Sequence, residues 1–242
     1  MGARRDRQRK PTRNAMGWSA ERLNPAGQAF AGFCAAGGCP AGAPGLDAGA
    51  GFGAASVAAL VAGGWVIAND LDADHLAEVA RRGAPYADRL TLKPGALAAD
   101  LHFDEGALGA IHCSSVLHFL TGRKLQRAFR QFALWLRPGG MLYVSAATPY
   151  QAPFAAFVPE FERRLAAGET WPGWVAHTRD YSTHRLLGLM PRSLHLMDDT
   201  VLRRLAEASG FAIEQLYLYR RGDLPASLHY DGRESVALIA RR

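Results

Sequence analysis

Three glycines stand at alternate positions directly after a short apolar segment: Gly49, Gly51 and Gly53. Asp47 precedes the first glycine by two residues, and Asp70 ends the next apolar segment. Glycine tolerates tight turns and lets the backbone approach a ligand, and the start of a following helix offers unpaired N–H groups. A carboxylate roughly 20 residues further on suits the hydroxyls of a ribose. These residues predict a cradle for a nucleotide-like cofactor.

Hydrophobic periodicity and turn residues place this glycine turn between a strand and a helix. The predicted strands are 44–48, 65–70, 89–93, 108–114 and 141–147, and the predicted helices are part of 18–36, 53–62, 72–82 and 121–136. Strands that alternate with helices through short turns predict an α/β fold with a doubly wound, mostly parallel sheet. Ligands of such sheets bind beyond the carboxyl ends of the strands, where the first strand-to-helix turn lies.

Composition indicates one large globular domain. The chain has 242 residues, of which 49% are hydrophobic and 21% are charged, and these values suit a substantial core. Apolar runs are too short for a transmembrane helix, and no secretory signal follows the basic start. The three cysteines, Cys34, Cys39 and Cys113, predict neither a disulfide framework nor a zinc site. We therefore expect a cytoplasmic protein.

The positive net charge is concentrated at the start of the chain. The formal charge is +6, and residues 1–13 carry six basic side chains and one acidic one, which leaves only +1 elsewhere. Such a block is typical of a solvated arm. We expect a flexible basic tail over 1–15 and a single domain over 16–242. A phosphate-contacting arm and an organelle transit peptide remain alternatives for the tail.

The spacing of the glycine turn is compatible with more than one cofactor. Gly49, Gly51 and Ala54 also satisfy the dinucleotide fingerprint, with Asp70 close to the expected distance for an acid on ribose. NAD therefore remains possible on spacing alone. Asp47 and the third glycine favour a different cofactor, as does a sheet that continues downstream without room for a separate substrate domain.

Four segments in order resemble the class I S-adenosylmethionine-dependent methyltransferases, specifically their small-molecule branch. These segments are "LDAGAGFG" (46–53), "VIANDLDADHL" (66–76), "LHFDEGALGAIHCSSVLHFL" (101–120) and "LRPGGMLYVSA" (136–146). The first is similar to the family motif D-x-G-x-G-x-G, and the likeness resumes near 198–218. The resemblance implies a Rossmann-like methyltransferase fold and transfer of a methyl group from S-adenosylmethionine to a small molecule by in-line displacement.

The resemblance assigns roles to residues of the glycine turn. Asp47 is expected to order the loop and to approach the methionyl end of the cofactor. Gly49 and Gly51 are expected to make room for that end and for the ribose, and Gly53 opens the loop further.

Recognition of the adenosine is expected at the ends of the second and third strands. Asp70 is expected to accept hydrogen bonds from both ribose hydroxyls, and Leu71 to lie against the adenine. Helix capping is the alternative for Asp70, although Asp72 is better placed for it. In relatives an acid often follows a glycine beyond the third strand, but Ala96 stands there in this chain, and Asp100 is the substitute that we expect.

The acceptor is expected to bind in loops after the fourth and fifth strands. His118 follows the fourth strand, where relatives often carry a histidine, and can orient or deprotonate an acceptor; a structural role is the alternative. The segment of about 149–197 is too long for a simple connection and is predicted to be a helical lid that contributes aromatic residues to the acceptor pocket. Tyr150 and His184 in this segment are further candidates for contact with the acceptor.

Some residues of the predicted lid are explained by packing in its core or by exposure on its surface. Its three phenylalanines at helical spacing are expected to pack mainly in its core: Phe154, Phe157 and Phe161. His177, Asp180 and His184 can share a helical face as metal ligands, but a polar surface explains them better, and no metal is predicted. The segment before the first strand is expected either to cover the cofactor, through Trp18, Asn24 and Gln28, or to pack on the sheet.

Three other functions remain open at this point. An RNA methyltransferase is disfavoured because the basic excess is confined to the tail and no Asn-Pro-Pro-aromatic tetrapeptide follows the fourth strand. A protein that binds S-adenosylmethionine without transferring its methyl group is compatible with the same motifs, and so is an NAD oxidoreductase. We expect a small-molecule substrate, no membrane partner and no nucleic acid; the oligomeric state is open.

Overall fold

The computed structural model describes residues 9–12, 18–20, 22–182 and 191–242. Most of the predicted basic tail lies outside these ranges. A short antiparallel ribbon comes first in the chain and consists of β1 (Arg9–Pro11) and β2 (Trp18–Ala20). An α/β fold around one large sheet follows it, as the alternating pattern of the sequence predicts.

The large sheet has seven strands and is mostly parallel. Its strands are β3 (Gly45–Ala48), β4 (Val66–Asp70), β5 (Leu90–Pro94), β6 (Leu108–Ser114), β7 (Leu136–Ala147), β10 (Ala212–Tyr219) and β11 (Ser235–Arg241). Their spatial order is β10-β11-β7-β6-β3-β4-β5, and β11 alone runs in the direction opposite to the other six strands. The chain builds outward from β3 in one direction and then crosses to β6 on the other side. This reversal leaves a crevice at the carboxyl ends of β3 and β6.

Helices cover both faces of this sheet. They are α1 (Pro25–Ala35), α2 (Ala54–Val61), α3 (Ala73–Gly83), α4 (Gly122–Trp135), α5 (Val158–Ala166) and α6 (Asp199–Glu207). The core between the sheet and α4 and α6 contains Phe129, Phe132 and Leu202, whereas the core beside α1 and α2 contains Phe30 and Leu60. Burial on both faces explains why the central strands read as continuous apolar runs.

Local signals predicted the helix starts well. Asn24 caps α1 by accepting a hydrogen bond from the Gly27 N–H, with Pro25 in the first turn. Asp72 caps α3 by accepting from the backbone N–H groups of Asp74 and His75. The prediction for β7 was too short at its start, because the strand begins at Leu136, where it pairs with Leu108 of β6.

The segment predicted as a helical lid is only partly helical. It contains a 3₁₀ helix (Ala152–Phe157), α5, and a two-stranded ribbon of β8 (Trp174–Val175) with β9 (Leu194–His195). Several of its aromatic side chains form a hydrophobic cluster with neighbouring aliphatic residues, which includes Tyr150, Phe154, Phe157, Phe161 and Val175, whereas Trp171 packs against the main core. The prediction that the three phenylalanines pack in the core is confirmed, since all three are buried.

The cysteines are all buried free thiols, as expected. None of the helices in the described part of the chain is long and apolar enough to cross a membrane.

Candidate active site

A cavity of about 330 Å³ lies at the carboxyl ends of the parallel strands. Its wall includes residues from β3 and the glycine turn, from β4, from the loop after β5, from β6 and its loop, and from the loop after β10. The position is the crevice where the strand order reverses, and the volume is within the range of small-molecule sites. The sequence prediction of a binding site at this edge therefore agrees with the structure.

The glycine turn has a backbone that other residues adopt only with strain. Gly49, Gly51 and Gly53 have φ angles of +74°, +54° and +78°. A Cβ on Gly49 would overlap the Cγ2 atom of Val116, which comes from the loop after β6. Gly49 and Gly51 line the cavity. Gly53 lies outside the described wall. It is the N-cap residue of α2 and packs closely on Val79.

Side chains at the end of β4 hold the glycine turn in place. The Gly51 N–H donates to Asp70 Oδ2 at 2.9 Å, and the Gly49 N–H donates to Asn69 Oδ1 at 3.4 Å. The Asn69 amide also donates to the carbonyls of Lys93 and Gly95 and so joins the turn to the end of β5. These bonds preorganise the backbone that faces the cavity.

Asp70 and Leu71 lie together at one end of the cavity. Asp70 Oδ1 accepts from the Asp72 N–H at 2.9 Å and lies 3.2 Å from His75 Nδ1. A carboxylate offers about four acceptor positions, so Oδ2, which accepts from the Gly51 N–H, retains one that can face a ligand. The Leu71 side chain is 59% exposed at the cavity wall, which leaves an apolar surface beside a polar one.

Asp47 forms a buried pair with His112, a residue that the sequence reasoning did not single out. His112 Nδ1 lies 2.8 Å from Asp47 Oδ1, and the Ser56 hydroxyl donates to Asp47 Oδ2 at 2.6 Å. An ionised carboxylate only accepts hydrogen bonds, so the Nδ1 atom carries the proton that joins the pair. The bond to Ser56 ties β3 to the first turn of α2.

The second ring nitrogen of His112 is buried without a hydrogen-bond partner among the described residues. His112 lines the cavity and is only 5% exposed. Because Nδ1 donates to Asp47, a neutral imidazole presents Nε2 as an acceptor. A buried polar atom of this kind is normally satisfied, so His112 Nε2, which lies beside Gly27 of α1, is an acceptor atom without a described partner next to the cavity.

Asn24 joins the first helix to this wall. Its side-chain amide donates to the Ser114 hydroxyl at 2.5 Å, and both residues line the cavity. Gln28 instead donates to the carbonyl of Leu23 and lies outside the described wall. The side chain of Trp18 is outside the described part of the chain.

Asp100 lies near the cavity without forming part of its described wall. It is exposed, and its carboxylate accepts from the Ala96 N–H at 2.9 Å, which closes the turn after β5. Gly95, Ala96 and Leu97 line the cavity at that point. The carboxylate is used within its own turn, so we no longer expect Asp100 to contact the adenine.

His118 is buried beside the cavity wall. It follows β6 as predicted and packs edge-on against Phe119 with ring centroids 4.2 Å apart. Phe119 lines the cavity, whereas His118 is absent from the described wall. Burial, and secondarily the charge of Arg221, lower the pKa of His118 to about 4. Its imidazole is therefore neutral at pH 7 and a weak proton acceptor.

Tyr150 lies in the hydrophobic cluster of the 149–197 segment. Its ring packs against Phe161, the guanidinium of Arg233 lies 3.6 Å from its centroid, and burial raises the pKa of its hydroxyl. No described residue of the 149–197 segment lines the cavity. His184 falls outside the described residues.

The metal-ligand interpretation finds no support in the described part of the segment. Both ring nitrogens of His177 lie within hydrogen-bond distance of the Arg192 guanidinium. Among the residues that the structure describes, no group of three or more histidine, cysteine or acidic side chains is arranged to hold a metal ion.

The opposite end of the cavity carries an apolar wall and two cations. Phe119 and Leu120 form the apolar part, and Lys124 and Arg221 supply the charges. Neither Lys124 nor Arg221 was predicted from the sequence as a candidate site residue. Arg221 follows β10, far along the chain, and only the order of the strands brings it to this edge.

Two buried histidines make stability dependent on pH. Burial lowers the pKa of both His118 and His195 from 6.5 to about 4. The unfolded chain therefore binds protons below pH 6.5 that the folded chain takes up only near pH 4, so stability present above pH 6.5 is lost as the pH falls through this window. We expect a loss of up to about 3 kcal/mol for each histidine.

Urea unfolding between pH 7 and pH 4 measures this effect. Replacing His118 or His195 with glutamine is expected to flatten the dependence, whereas the same change at the exposed His102 is the control. An equal pH dependence in all three variants would contradict the assignment.

A family model described as a methyltransferase domain matches residues 46–140. This range begins at the glycine turn and ends in β7, so it spans most of the cavity wall. A comparison with curated protein sequences finds no match.

Solved structures of low sequence identity share the fold. An S-adenosylmethionine dependent methyltransferase from Mesorhizobium loti is 22% identical with a TM-score of 0.59, and the match covers 86% of this chain and 95% of that one. The Burkholderia thailandensis 1,6-didemethyltoxoflavin-N1-methyltransferase, with 1,6-didemethyltoxoflavin and S-adenosylhomocysteine bound, is 19% identical with a TM-score of 0.61 over 90% and 78% of the two chains. The geranyl diphosphate C-methyltransferase from Streptomyces coelicolor is 17% identical with a TM-score of 0.59 over 89% and 79%.

The matched range contains the glycine turn and the carboxylate at the end of β4. S-adenosylmethionine fits the residues that are present, because the turn is shaped for close backbone approach and the wall carries an unpaired acceptor atom. Residues 46–140 thus match the model of a methyltransferase domain, and the chain shares its fold with S-adenosylmethionine-dependent methyltransferases of low sequence identity.

Proposed function

We propose that this enzyme transfers the methyl group of S-adenosylmethionine to a small-molecule acceptor. The observation that carries the proposal is a single cavity that joins the preorganised glycine turn and Asp70 to an apolar end with polar side chains. The Burkholderia and Streptomyces enzymes, whose structures contain small-molecule substrates, share this fold. Their substrates differ chemically, so the fold supports the class of acceptor and not its identity.

The residues of the turn support binding of the cofactor in a defined orientation. We propose that Asp70 accepts hydrogen bonds from the ribose and that Leu71 contacts the adenine, since the two lie side by side at one end of the cavity. Gly49 and Gly51 admit the methionyl part, and the free Nε2 atom of His112 accepts a hydrogen bond from its ammonium group. Asp47 acts by fixing the tautomer and the ring of His112.

Methyl transfer requires little of the protein beyond positioning the acceptor and the methyl group. The cofactor supplies a methyl group on a positively charged sulfur, which is already electrophilic. Holding an acceptor in line with that group accounts for much of the acceleration in reactions of this type, and a general base is needed only for acceptors of high pKa. We assign no base: we propose that His118 positions Phe119 in the wall, and that Tyr150 stabilises the cluster beside it.

We also propose that the enzyme works in the cytoplasm. All three cysteines are free and buried, which agrees with a reducing compartment. The described helices include no membrane span.

Calorimetric titration with S-adenosylmethionine, S-adenosylhomocysteine and NADH tests the cofactor. We expect saturable binding of the two sulfur ligands and no binding of NADH. Incubation with S-adenosylmethionine and an acceptor panel, with S-adenosylhomocysteine measured by mass spectrometry, then tests transfer.

The alternatives give different results in these experiments. NADH binding that S-adenosylmethionine does not displace would indicate an oxidoreductase. Tight cofactor binding without turnover across the panel would indicate a binding protein. Turnover of RNA that falls steeply with salt would indicate an RNA methyltransferase.

A further inference from the structure

We propose that the acceptor carries an oxyanion, a carboxylate or a phosphate, which Arg221 and Lys124 bind at the end of the cavity opposite Asp70. The inference rests on the proposed function and specifies the substrate class of the same site. It follows from where the two cations lie, from the hydrogen-bond donors that they retain, and from the charges of the wall around them.

The strand order separates the two ends of the cavity. Asp70 and Leu71 follow β4, and β4 and β5 lie on one side of β3. Phe119, Leu120 and Lys124 follow β6, and Arg221 follows β10, all on the other side of β3. The charge of Arg221 acts on His118 in the loop after β6, so Arg221 and that loop form the same end. With the adenosine at the first end, the acceptor occupies the second.

Arg221 is a buried cation with hydrogen-bond donors to spare. Its side chain is part of the wall, and the residue is 8% exposed. The Nε and one terminal nitrogen donate to the two carboxylate oxygens of Asp223, both at 2.7 Å, and the other terminal nitrogen donates to Ser235 at 3.4 Å. A guanidinium has five N–H donors, so each terminal nitrogen keeps one beyond these described contacts. The pair with Asp223 holds the guanidinium plane fixed, which suits recognition of an oxyanion.

Lys124 adds a second cation where the helix itself favours an anion. It lies in the first turn of α4, next to Arg123, and that turn has no acidic residue. The Thr121 side chain makes no capping bond. Cations near a helix N-terminus are unfavourable because the helix dipole is positive there. No described carboxylate pairs with Lys124, and a bound anion would offset this local repulsion.

The acidic side chains of the described wall already accept hydrogen bonds from other groups of the protein. They are Asp47, which bonds to His112 and Ser56, and Asp70, which bonds to the glycine turn. Three basic side chains line the cavity: Arg22, Lys124 and Arg221. Because Asp223 pairs with Arg221, the uncompensated positive charge at the acceptor end comes from the exposed Lys124. Arg221 contributes fixed hydrogen-bond donors in a buried position, where such bonds are stronger than in water. Bound S-adenosylmethionine adds another positive charge, which further favours an anionic acceptor over a cationic one.

Matched aromatic probes test this inference. The protein, saturated with S-adenosylhomocysteine in a buffer free of phosphate and sulfate, is titrated with benzoate, phenyl phosphate and benzamide. The ring of each probe suits the wall of Phe119 and Leu120, and benzamide has the shape of benzoate without its charge. We expect the oxyanions to bind at least about 10-fold more tightly than benzamide, in line with a charge-assisted hydrogen bond. The difference between benzoate and phenyl phosphate identifies the preferred oxyanion.

Two variants locate the binding site. Lys124→Met is expected to weaken oxyanion binding at least about 5-fold with no change in the affinity for S-adenosylhomocysteine. Arg123→Met on the same turn is the matched control, because Arg123 is exposed and not part of the described wall. Since Arg221→Met alone would remove the ion-pair partner of Asp223, the double variant Arg221→Met/Asp223→Asn is used, and it is expected to abolish the preference for oxyanions.

The result separates this inference from the proposed function. Normal binding of S-adenosylhomocysteine with equal affinity for benzoate and benzamide, or with no binding of any probe, overturns the inference alone. Equal losses in the Lys124→Met and Arg123→Met variants also overturn it. Absence of S-adenosylhomocysteine binding in the unaltered protein overturns both.

Discussion

The Asp70→Ala variant is expected to bind S-adenosylmethionine roughly 100-fold more weakly than the unaltered protein, as measured by calorimetry. The carboxylate lies at the cavity with an acceptor position left for a ligand, which we propose is the ribose, and charge-assisted bonds of this kind contribute about 1.5–3 kcal/mol each. The change also removes the acceptor of the Gly51 N–H. Loss of this bond loosens the turn that faces the cofactor and adds to the loss of affinity.

Two nearby acids serve as controls for this variant. Asp100→Ala removes an exposed carboxylate outside the described wall, and Asp72→Ala removes the cap of α3. We expect Asp72→Ala to lower the free energy of unfolding by about 1 kcal/mol, with little effect of either change on affinity. If Asp100→Ala reduced the affinity for S-adenosylmethionine as much as Asp70→Ala, the proposed position of the adenosine would be wrong.

The Gly49→Ala variant is expected to lose cofactor binding and about 3 kcal/mol of the free energy of unfolding. Two effects combine, because the residue has a φ of +74° and an added Cβ would overlap Val116. A left-handed backbone costs an alanine about 1–2 kcal/mol, and an overlap in a packed site costs about 1–3 kcal/mol more. Urea unfolding and calorimetric titration measure the two losses.

Gly37→Ala provides a matched control for the backbone term. Gly37 has a φ of +78°, and an added Cβ there would meet no atom within 4 Å, so only the cost of the backbone is expected. A double variant, Gly49→Ala/Val116→Ala, removes the overlapping atom and should recover part of the stability. If Gly49→Ala were no more harmful than Gly37→Ala, close packing would not explain the need for glycine at this turn.

The features predicted correctly from the sequence are those that neighbouring residues determine. The glycine turn depends on φ angles that glycine adopts without strain, and the start of α3 depends on Asp72 and the N–H groups of the next turn. The alternation of strands and helices depends on periodic apolar residues. Interactions within a few residues leave a local pattern, and a local pattern can be found in one sequence.

The features that sequence reasoning missed depend on residues far apart in the chain. Asp47 meets His112 because β3 and β6 are parallel neighbours in a register that places the two residues side by side. Arg221 reaches the cavity because β10 closes the far edge of the sheet. A histidine in a buried strand was a signal for the first, but nothing near Arg221 in the sequence indicated the second.

The aromatic residues of 149–197 show the same limit. Their spacing was compatible with a pocket and with a hydrophobic cluster, and most of the described ones, such as Tyr150 and Phe157, belong to a cluster. Composition describes what a side chain can contact, whereas packing decides which of its neighbours it meets.

The sequence by itself determined the fold class, the position of the glycine turn and the match to a methyltransferase domain, because short-range patterns encode each of these. Only the tertiary structure decided which distant side chains complete the cavity. The reason is physical: strand order and register bring His112, Lys124 and Arg221 to one edge of the sheet, and these depend on the packing of the whole chain.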